Sequence, residues 1–404
     1  MSKIKVLMIG PGEPNALNSG LGVAANYIAN KLARKTNLTL IQPENEGSSS
    51  GKFIHNLKKI NADKLSEDSL ISDLIQINVR AKISPYFYPY MQVVSADEDE
   101  VEIESEVKNE LDHFTRNVVN EAENLDFDII YAHDWTAVQA GVELKEKTNK
   151  PLVVHMHSLD YDRNSKLNKS WVHQVEKESF EKSDAIIGVS EYTSNVITEH
   201  YGAIDKKKVH TVYSGNEPGN AEPLEKTFDE KLVLFVGRLT GQKGPNLFLD
   251  IAQKVLKKHE NTRFVLVGEG PLMQDLVMAT AAMKLGGKFH FTGHIDQNQL
   301  MSLYGMADVY CMPSVSEPYG LAAIEAANAG VPVVLSRQSG ASEVLSAALT
   351  ADHWDVDGFA KHILSIFKSD KKSKKMVAEN RSDLKSMTWD STADGILKIL
   401  QNLS

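Results

Sequence analysis

Short apolar, β-branched runs alternate with helix-length amphipathic stretches along the whole chain, and this alternation constrains the fold more than any other feature. The runs are Lys3–Ile9, Leu38–Ile41, Ile129–Ala132, Leu152–His155, Ala185–Val189 and Val209–Val212, then Leu232–Val236, Arg263–Val267, Lys288–Phe291, Val309–Met312 and Val331–Leu335. Between them lie stretches such as Val23–Lys35 and Pro245–His259, which repeat apolar residues at helical spacing. Continuous rather than alternating apolar strands belong to parallel sheets covered by helices on both faces. The chain therefore reads as α/β. At 404 residues it exceeds one ordinary core and suits two.

The break between the two sets of strands is Gly215-Asn216-Glu217-Pro218-Gly219-Asn220-Ala221-Glu222-Pro223, whose Gly, Asn and Pro content marks a linker. It divides the sequence into residues 1–217 and 224–385, with 386–404 as a terminal helix. The segment Glu44–Glu110 reads as irregular, with serines at 48–50 and an acidic run from Asp97 to Glu106 that suits a solvated face or loop. The lysines at 371, 372, 374 and 375 read as solvated helix surface.

A formal net charge of −10 argues against a nucleic-acid partner, which needs a concentrated positive field. The single cysteine, Cys311, rules out an intrachain disulfide and suits a reducing compartment. No apolar stretch approaches the ~20 residues of a membrane-spanning helix, so a cytoplasmic protein is expected.

Two motifs sit where strands end, and a third opens a helix. After Met312 comes Pro313-Ser314-Val315-Ser316-Glu317-Pro318-Tyr319-Gly320-Leu321-Ala322-Ala323-Ile324-Glu325. A helix is expected to begin near Tyr319 or Gly320, so backbone amides around Tyr319, Gly320 and Leu321 would form an anion site. Glu317, in the loop, and Glu325, about two turns along, would hold hydroxyls at opposite ends of a ligand. After Val236 comes Gly237-Arg238-Leu239-Thr240-Gly241-Gln242-Lys243-Gly244, where a planar guanidinium and a point charge can converge on one diphosphate. Near the start, Asn18-Ser19-Gly20-Leu21-Gly22-Val23 precedes a helix, and Gly20 and Gly22 would let amides approach a phosphate. Gly20 to Ala25 also fits the dinucleotide fingerprint, with Glu44 further on, but that fingerprint needs its glycines directly after the strand.

The spacing Glu317-x7-Glu325 within E-P-Y-G-L resembles the signature of retaining GT-B glycosyltransferases of group 1 (family 4), in the branch of glycogen and starch synthases. That resemblance implies two Rossmann-like domains facing a central cleft, residues 1–217 taking the acceptor and 224–385 the nucleotide sugar, with 386–404 as a helix crossing back to the first. It implies that Glu317 contacts donor-sugar hydroxyls, Glu325 the ribose, and Arg238 and Lys243 the diphosphate, covered by the Gly20–Gly22 loop. His133-Asp134-Trp135 resembles that branch's H-D-W, which would place Asp134 near the reacting centre and offer Trp135 as a stacking face; packing is an equal alternative for Trp135. Of His155 and His157, the second would hydrogen-bond a sugar. A metal reading of this pair finds no further ligand at zinc spacing, so no metal ligand is assigned. Asp160 and Arg163 would face the acceptor. Gly268 resembles the glycine of a G-x-G-P loop near the base, Ser190 a helix cap, and Ser339-Gly340-Ala341-Ser342-Glu343 the family's G-G-x-x-E with one glycine replaced.

The activity so implied is transfer of a hexosyl group, glucosyl above others, from a UDP- or ADP-sugar to a saccharide or other hydroxyl acceptor. No Asp-x-Asp cation site is assigned and no cofactor or metal is expected. The alternatives are a sugar-nucleotide epimerase of the same fold, a phosphorylase-like enzyme with lysine-bound pyridoxal phosphate, and an inactive sugar-nucleotide-binding protein.

Overall fold

A computed structural model describes residues 3–10, 20–43, 51–53, 74–79, 100–163, 170–217, 226 and 228–404, with backbone alone at 51–53 and 100–103. Asn18, Ser19, Glu44, the serines at 48–50 and linker residues 218–223 lie outside the described residues.

The first sheet contains β1 (Lys5–Ile9), β2 (Asn37–Pro43), β3 (Gly51–Phe53), β4 (Leu74–Val79), β5 (Ile129–His133), β6 (Leu152–Met156), β7 (Ala185–Gly188) and β8 (Val209–Thr211). Their order is β3-β4-β2-β1-β5-β6-β7-β8, parallel except for the antiparallel edge strand β3. The second sheet contains β9 (Lys231–Val236), β10 (Thr262–Val267), β11 (Phe289–Gly293), β12 (Val309–Met312), β13 (Val333–Ser336) and β14 (Leu349–Ala351). It runs β11-β10-β9-β12-β13-β14, the doubly wound order 3-2-1-4-5-6. The result is two parallel sheets, as the apolar runs predict, in the two Rossmann-like units of the GT-B architecture that the resemblance implies. In such sheets ligands bind outside the carboxyl ends where strand order reverses. Those points lie between β1 and β5 and between β9 and β12.

Strand registration uses one device three times. Asp128, Asp184 and Asp308 stand immediately before β5, β7 and β12. Their carboxylates accept the backbone N–H of Lys5, Leu152 and Leu232, respectively, on the neighbouring strand. Each bond satisfies a donor at the amino edge and fixes which residues pair beyond it.

Two expectations fail between residues 44 and 122. Strand β4 escaped notice because Gln76 and Asn78 interrupt its apolar run. Both are buried, and Asn78 Oδ1 accepts from the side-chain amides of Gln42 and Gln76 at 3.2 and 3.1 Å. The segment read as irregular also holds a helix, Glu100–Ala122, into which the acidic run continues. Its acidic face hides a stripe at Val107, Leu111, Phe114 and Val118, all buried against the first sheet's core, at the 3.6-residue period of an amphipathic helix.

The chain crosses between halves twice, side by side. Asn216 N–H donates to Met387 O at 2.9 Å, and Asn216 and Thr388 form a parallel bridge. A Cβ on Gly215 would lie 2.3 Å from Trp389 N, so only glycine lets the two crossings pass. The terminal helix Trp389–Leu403 then buries Trp389, Ala393, Ile396 and Leu400 among residues of the first half. Tyr27 stacks on Trp389 at 4.9 Å between centroids. Among the described residues no helix is long and apolar enough to cross a membrane.

Candidate active site

The loops at the carboxyl ends of the two sheets meet. Ser316, in the loop after β12, donates to Asp162 beyond β6 and bonds the Tyr192 hydroxyl at 2.7 Å. Ser190 caps helix Glu191–His200 by accepting from Thr193 N–H, as expected, and also donates to Pro318 O at 2.6 Å. Glu343 of the second half accepts from Glu191 N–H, Tyr192 N–H and the Tyr213 hydroxyl, occupying the positive end of the same helix. Tyr319 spends its hydroxyl on Ser214 O at 2.7 Å. A Cβ on Gly20 would touch Leu321 Cδ1 at 3.5 Å, so the first helix of one half faces the E-P-Y-G-L helix of the other.

Within the second half, Lys243 and Glu317 pair at 2.5 Å, bringing the loops after β9 and β12 together at the switch point. Glu317 is buried and also accepts from Ser314 Oγ at 3.3 Å. Arg238 lies exposed at the end of β9 on the same loop as Lys243. Gly320 adopts φ 96° and caps helix Leu321–Ala329. Only glycine suits that backbone, since a Cβ would also press on Met312 and Glu317 at 3.1 and 3.2 Å. Glu325 is the fifth residue of that helix, just past its first turn rather than two turns along. Burial pushes its carboxyl up to about 7, against a hydrogen bond from the Tyr304 hydroxyl at 3.3 Å. Burial, with the charges of Glu217 and Glu325, also pushes the Tyr27 hydroxyl up. Gly268, at φ 132°, owes its identity to close packing, because a Cβ there would fall 2.0 Å from Gly237 O.

The first half contributes buried polar groups. Asp134 has φ 60° and is almost fully buried. Its carboxylate accepts from His157 and Ser158 N–H at 3.2 and 3.3 Å, with Arg163 at 3.7 Å. Burial raises it to about 6, opposed by the Arg163 charge and the two amides. Asp134 thus shapes the loop carrying His157. Trp135 is fully buried and meets Trp171 edge-on at 5.6 Å, so packing is its role and it offers no face to a sugar.

Asp160 and Arg163 do not face an acceptor. Asp160 is buried, accepts from Ser170 Oγ at 2.6 Å and donates its backbone N–H to Glu176. Arg163 is locked on Ser158 through Nε and Nη2 at 2.7 and 3.0 Å. Asp160-Tyr161-Asp162 does spell Asp-x-Asp, yet its carboxylates serve Ser170 on one side and Leu159 N–H and Ser316 on the other.

His157 stands with His155, as their sequence spacing suggests, and also with a third ring that no spacing announces. His133 closes β5 directly beside His155 of β6, and its Nδ1 lies 3.1 Å from His157 Nε2. Burial pushes all three imidazoles below their ordinary value, His157 to about 3.

The model named Glycosyl transferases group 1 matches residues 218–383, and that named Glycosyltransferase Family 4 matches 109–218. The chain is a GT-B glycosyltransferase of group 1, family 4. This glycosyltransferase is 32% identical over 235 residues to an uncharacterized glycosyltransferase of Methanocaldococcus jannaschii, covering 54% of the chain and 60% of that relative. It is 28% identical to a D-inositol 3-phosphate glycosyltransferase of Segniliparus rotundus, over 72% of the chain and 70% of the relative. It is 27% identical to a glycogen synthase of Mycobacterium tuberculosis, over 67% of the chain and 68% of the relative. Among solved structures, a sucrose-phosphate synthase of Thermosynechococcus elongatus superposes with TM-score 0.77 at 18% identity, covering 99% of both chains. Anabaena HepE in complex with UDP and glucose gives 0.72 at 15% identity, covering 100% of both.

Proposed function

We propose that this glycosyltransferase moves a glucosyl or related hexosyl group from a UDP- or ADP-sugar to an acceptor hydroxyl with retention at the anomeric carbon. The observation that carries this is the Lys243–Glu317 pair at the switch point. It presents a cation for a diphosphate and, once the diphosphate takes the lysine, a carboxylate for sugar hydroxyls. The division of labour follows, with residues 1–217 as acceptor domain, 224–385 as donor domain and 386–404 as the helix that returns to the first. Relatives named glycogen synthase and D-inositol 3-phosphate glycosyltransferase favour a sugar or polyol acceptor.

In the step proposed, the bond between the anomeric carbon and the diphosphate oxygen breaks while the acceptor oxygen bonds to the same face of that carbon. The acceptor's proton passes to the departing diphosphate. Arg238, Lys243 and the Gly20 and Gly22 amides stabilise the charge that grows on the leaving group, the interaction that usually dominates such catalysis. Glu317 takes donor-sugar hydroxyls and Glu325 the ribose, both beside the amides that open helix Leu321–Ala329. His157, neutral at pH 7, can accept or donate to a sugar hydroxyl. Closure across the Ser316–Asp162 and Ser190–Pro318 contacts excludes water.

The experiment is a donor screen reading released nucleotide from UDP-, ADP- and GDP-sugars with and without glucose-containing acceptors. Acceptor-dependent release from one nucleotide class is expected, and it persists in EDTA. Release from none overturns the reading, and loss in EDTA overturns its metal independence.

A further inference from the structure

We propose that His133, His155 and His157 form a binding site for one late first-row divalent cation such as Zn²⁺. The site is built by strand pairing rather than by a sequence motif. His133 and His155 are register partners on β5 and β6, so their side chains leave the same face of the sheet. His157 follows two residues after His155. One ring nitrogen from each residue lies within 4.8 Å of the other two. The His133 Nδ1 to His157 Nε2 separation of 3.1 Å is close to the edge of a zinc tetrahedron, roughly 3.3 Å for nitrogen ligands.

A second observation points to a ligand independently. Nε2 of His133 and Nε2 of His155 are buried and have no hydrogen-bond partner among the described residues. Buried polar atoms are ordinarily satisfied, and an ion bound by His133 Nδ1 and His157 Nε2 would take the lone pair of His155 Nε2 as its third ligand. His155 is already oriented as a ligand should be, because its Nδ1 bonds the Tyr131 hydroxyl at 2.6 Å. Held in that way, the ring presents Nε2 to the cluster, as an outer partner does for a metal-bound histidine. Three imidazoles and no carboxylate select Zn²⁺, Cu²⁺, Ni²⁺ or Co²⁺ over Mg²⁺ and Ca²⁺. His157 is the least buried of the three, so an ion enters past its ring.

The consequence rests on the reading given under Proposed function. If His157 serves a donor hydroxyl, a metal-bound His157 cannot, and the ion acts as a brake on transfer rather than as a cofactor.

Cobalt provides the test because its ligand-field bands report coordination directly, without any turnover. Titrating the full chain with CoCl₂ is expected to give the visible bands of a four-coordinate site, saturating at one equivalent and bleached by Zn²⁺. His155→Gln, which keeps a bond to Tyr131, and His155→Phe, which keeps the ring packing, are both expected to weaken cobalt binding at least tenfold while transfer continues. Absence of the bands, or bands unchanged in both variants, overturns the site. Bands with no transfer from any donor overturn the glycosyltransfer reading and leave the site standing.

Discussion

Lys243 is the residue on which the chemistry turns, because its ammonium is both the partner of a buried carboxylate and the cation meant for the diphosphate. Lys243→Ala and Arg238→Ala are each expected to lower kcat about 10²–10³-fold, by analogy with losing one oxyanion donor. Steady-state turnover with the active donor checks this, and near-wild-type rates would remove both residues from the mechanism. Glu325 makes a prediction of a different kind. Its folded-state value of about 7 lies above the ordinary 4.5, so the folded protein holds a proton that the unfolded chain has released between those pH values. Stability contributed by this group is therefore present below about pH 4.5 and falls as pH rises through 7. Glu325→Gln removes the ionisation. Its melting temperature relative to wild type is expected to be higher at pH 8 than at pH 5, and an equal difference at both would contradict the assignment.

Not every site residue was equally legible. Glu317, Arg238 and Lys243 are near neighbours of strand ends, so local sequence places them at the switch point. The third histidine was not, because which residues of β5 and β6 stand side by side is fixed by register, aided by aspartates such as Asp128 and Asp184 that bond across strands. Asp160 and Arg163 misled for a related reason. Polar residues in a loop after a strand look solvent-facing, and only the structure shows Asp160 turned onto Ser170 and Glu176 and Arg163 onto Ser158.

At the scale of elements, two glycines carry different loads. Gly268 meets the backbone oxygen of Gly237, which cannot move without displacing β9, whereas Gly286 has nothing within 4 Å. Gly268→Ala is expected to lower the melting temperature sharply and Gly286→Ala to leave it nearly unchanged; thermal denaturation of the two side by side decides. Most strands were legible because parallel strands covered on both faces have no polar residues to break the run. The runs missed three strands, the short β3 and β14 and the longer β4, which carries Gln76 and Asn78 inside the sheet, where they satisfy each other and Gln42. The helix Glu100–Ala122 was hidden by composition, its charge drawing attention from the apolar stripe beneath.

For the whole molecule, the terminal helix and the paired crossings decide how the halves stay together. Trp389 is buried and stacked on Tyr27, so Trp389→Ala is expected to cost about 3–5 kcal/mol, as for other large aromatic truncations in cores. Urea unfolding measures it, and a loss below ~1 kcal/mol would show that the helix does not fasten the halves. Contacts such as Ser190–Pro318 and Glu343 at the start of helix Glu191–His200 set the cleft's closed form. No local pattern announces them, because each joins residues more than a hundred positions apart.

Transfer by this chain requires a diphosphate gripped at the junction of both sheets. Calorimetric titration of UDP-, ADP- and GDP-glucose into the wild-type chain and Lys243→Ala measures that grip directly. One nucleotide sugar is expected to bind with a stoichiometry of one, at least tenfold more weakly in the variant. No binding by any of the three, or equal affinity in both proteins, would contradict it.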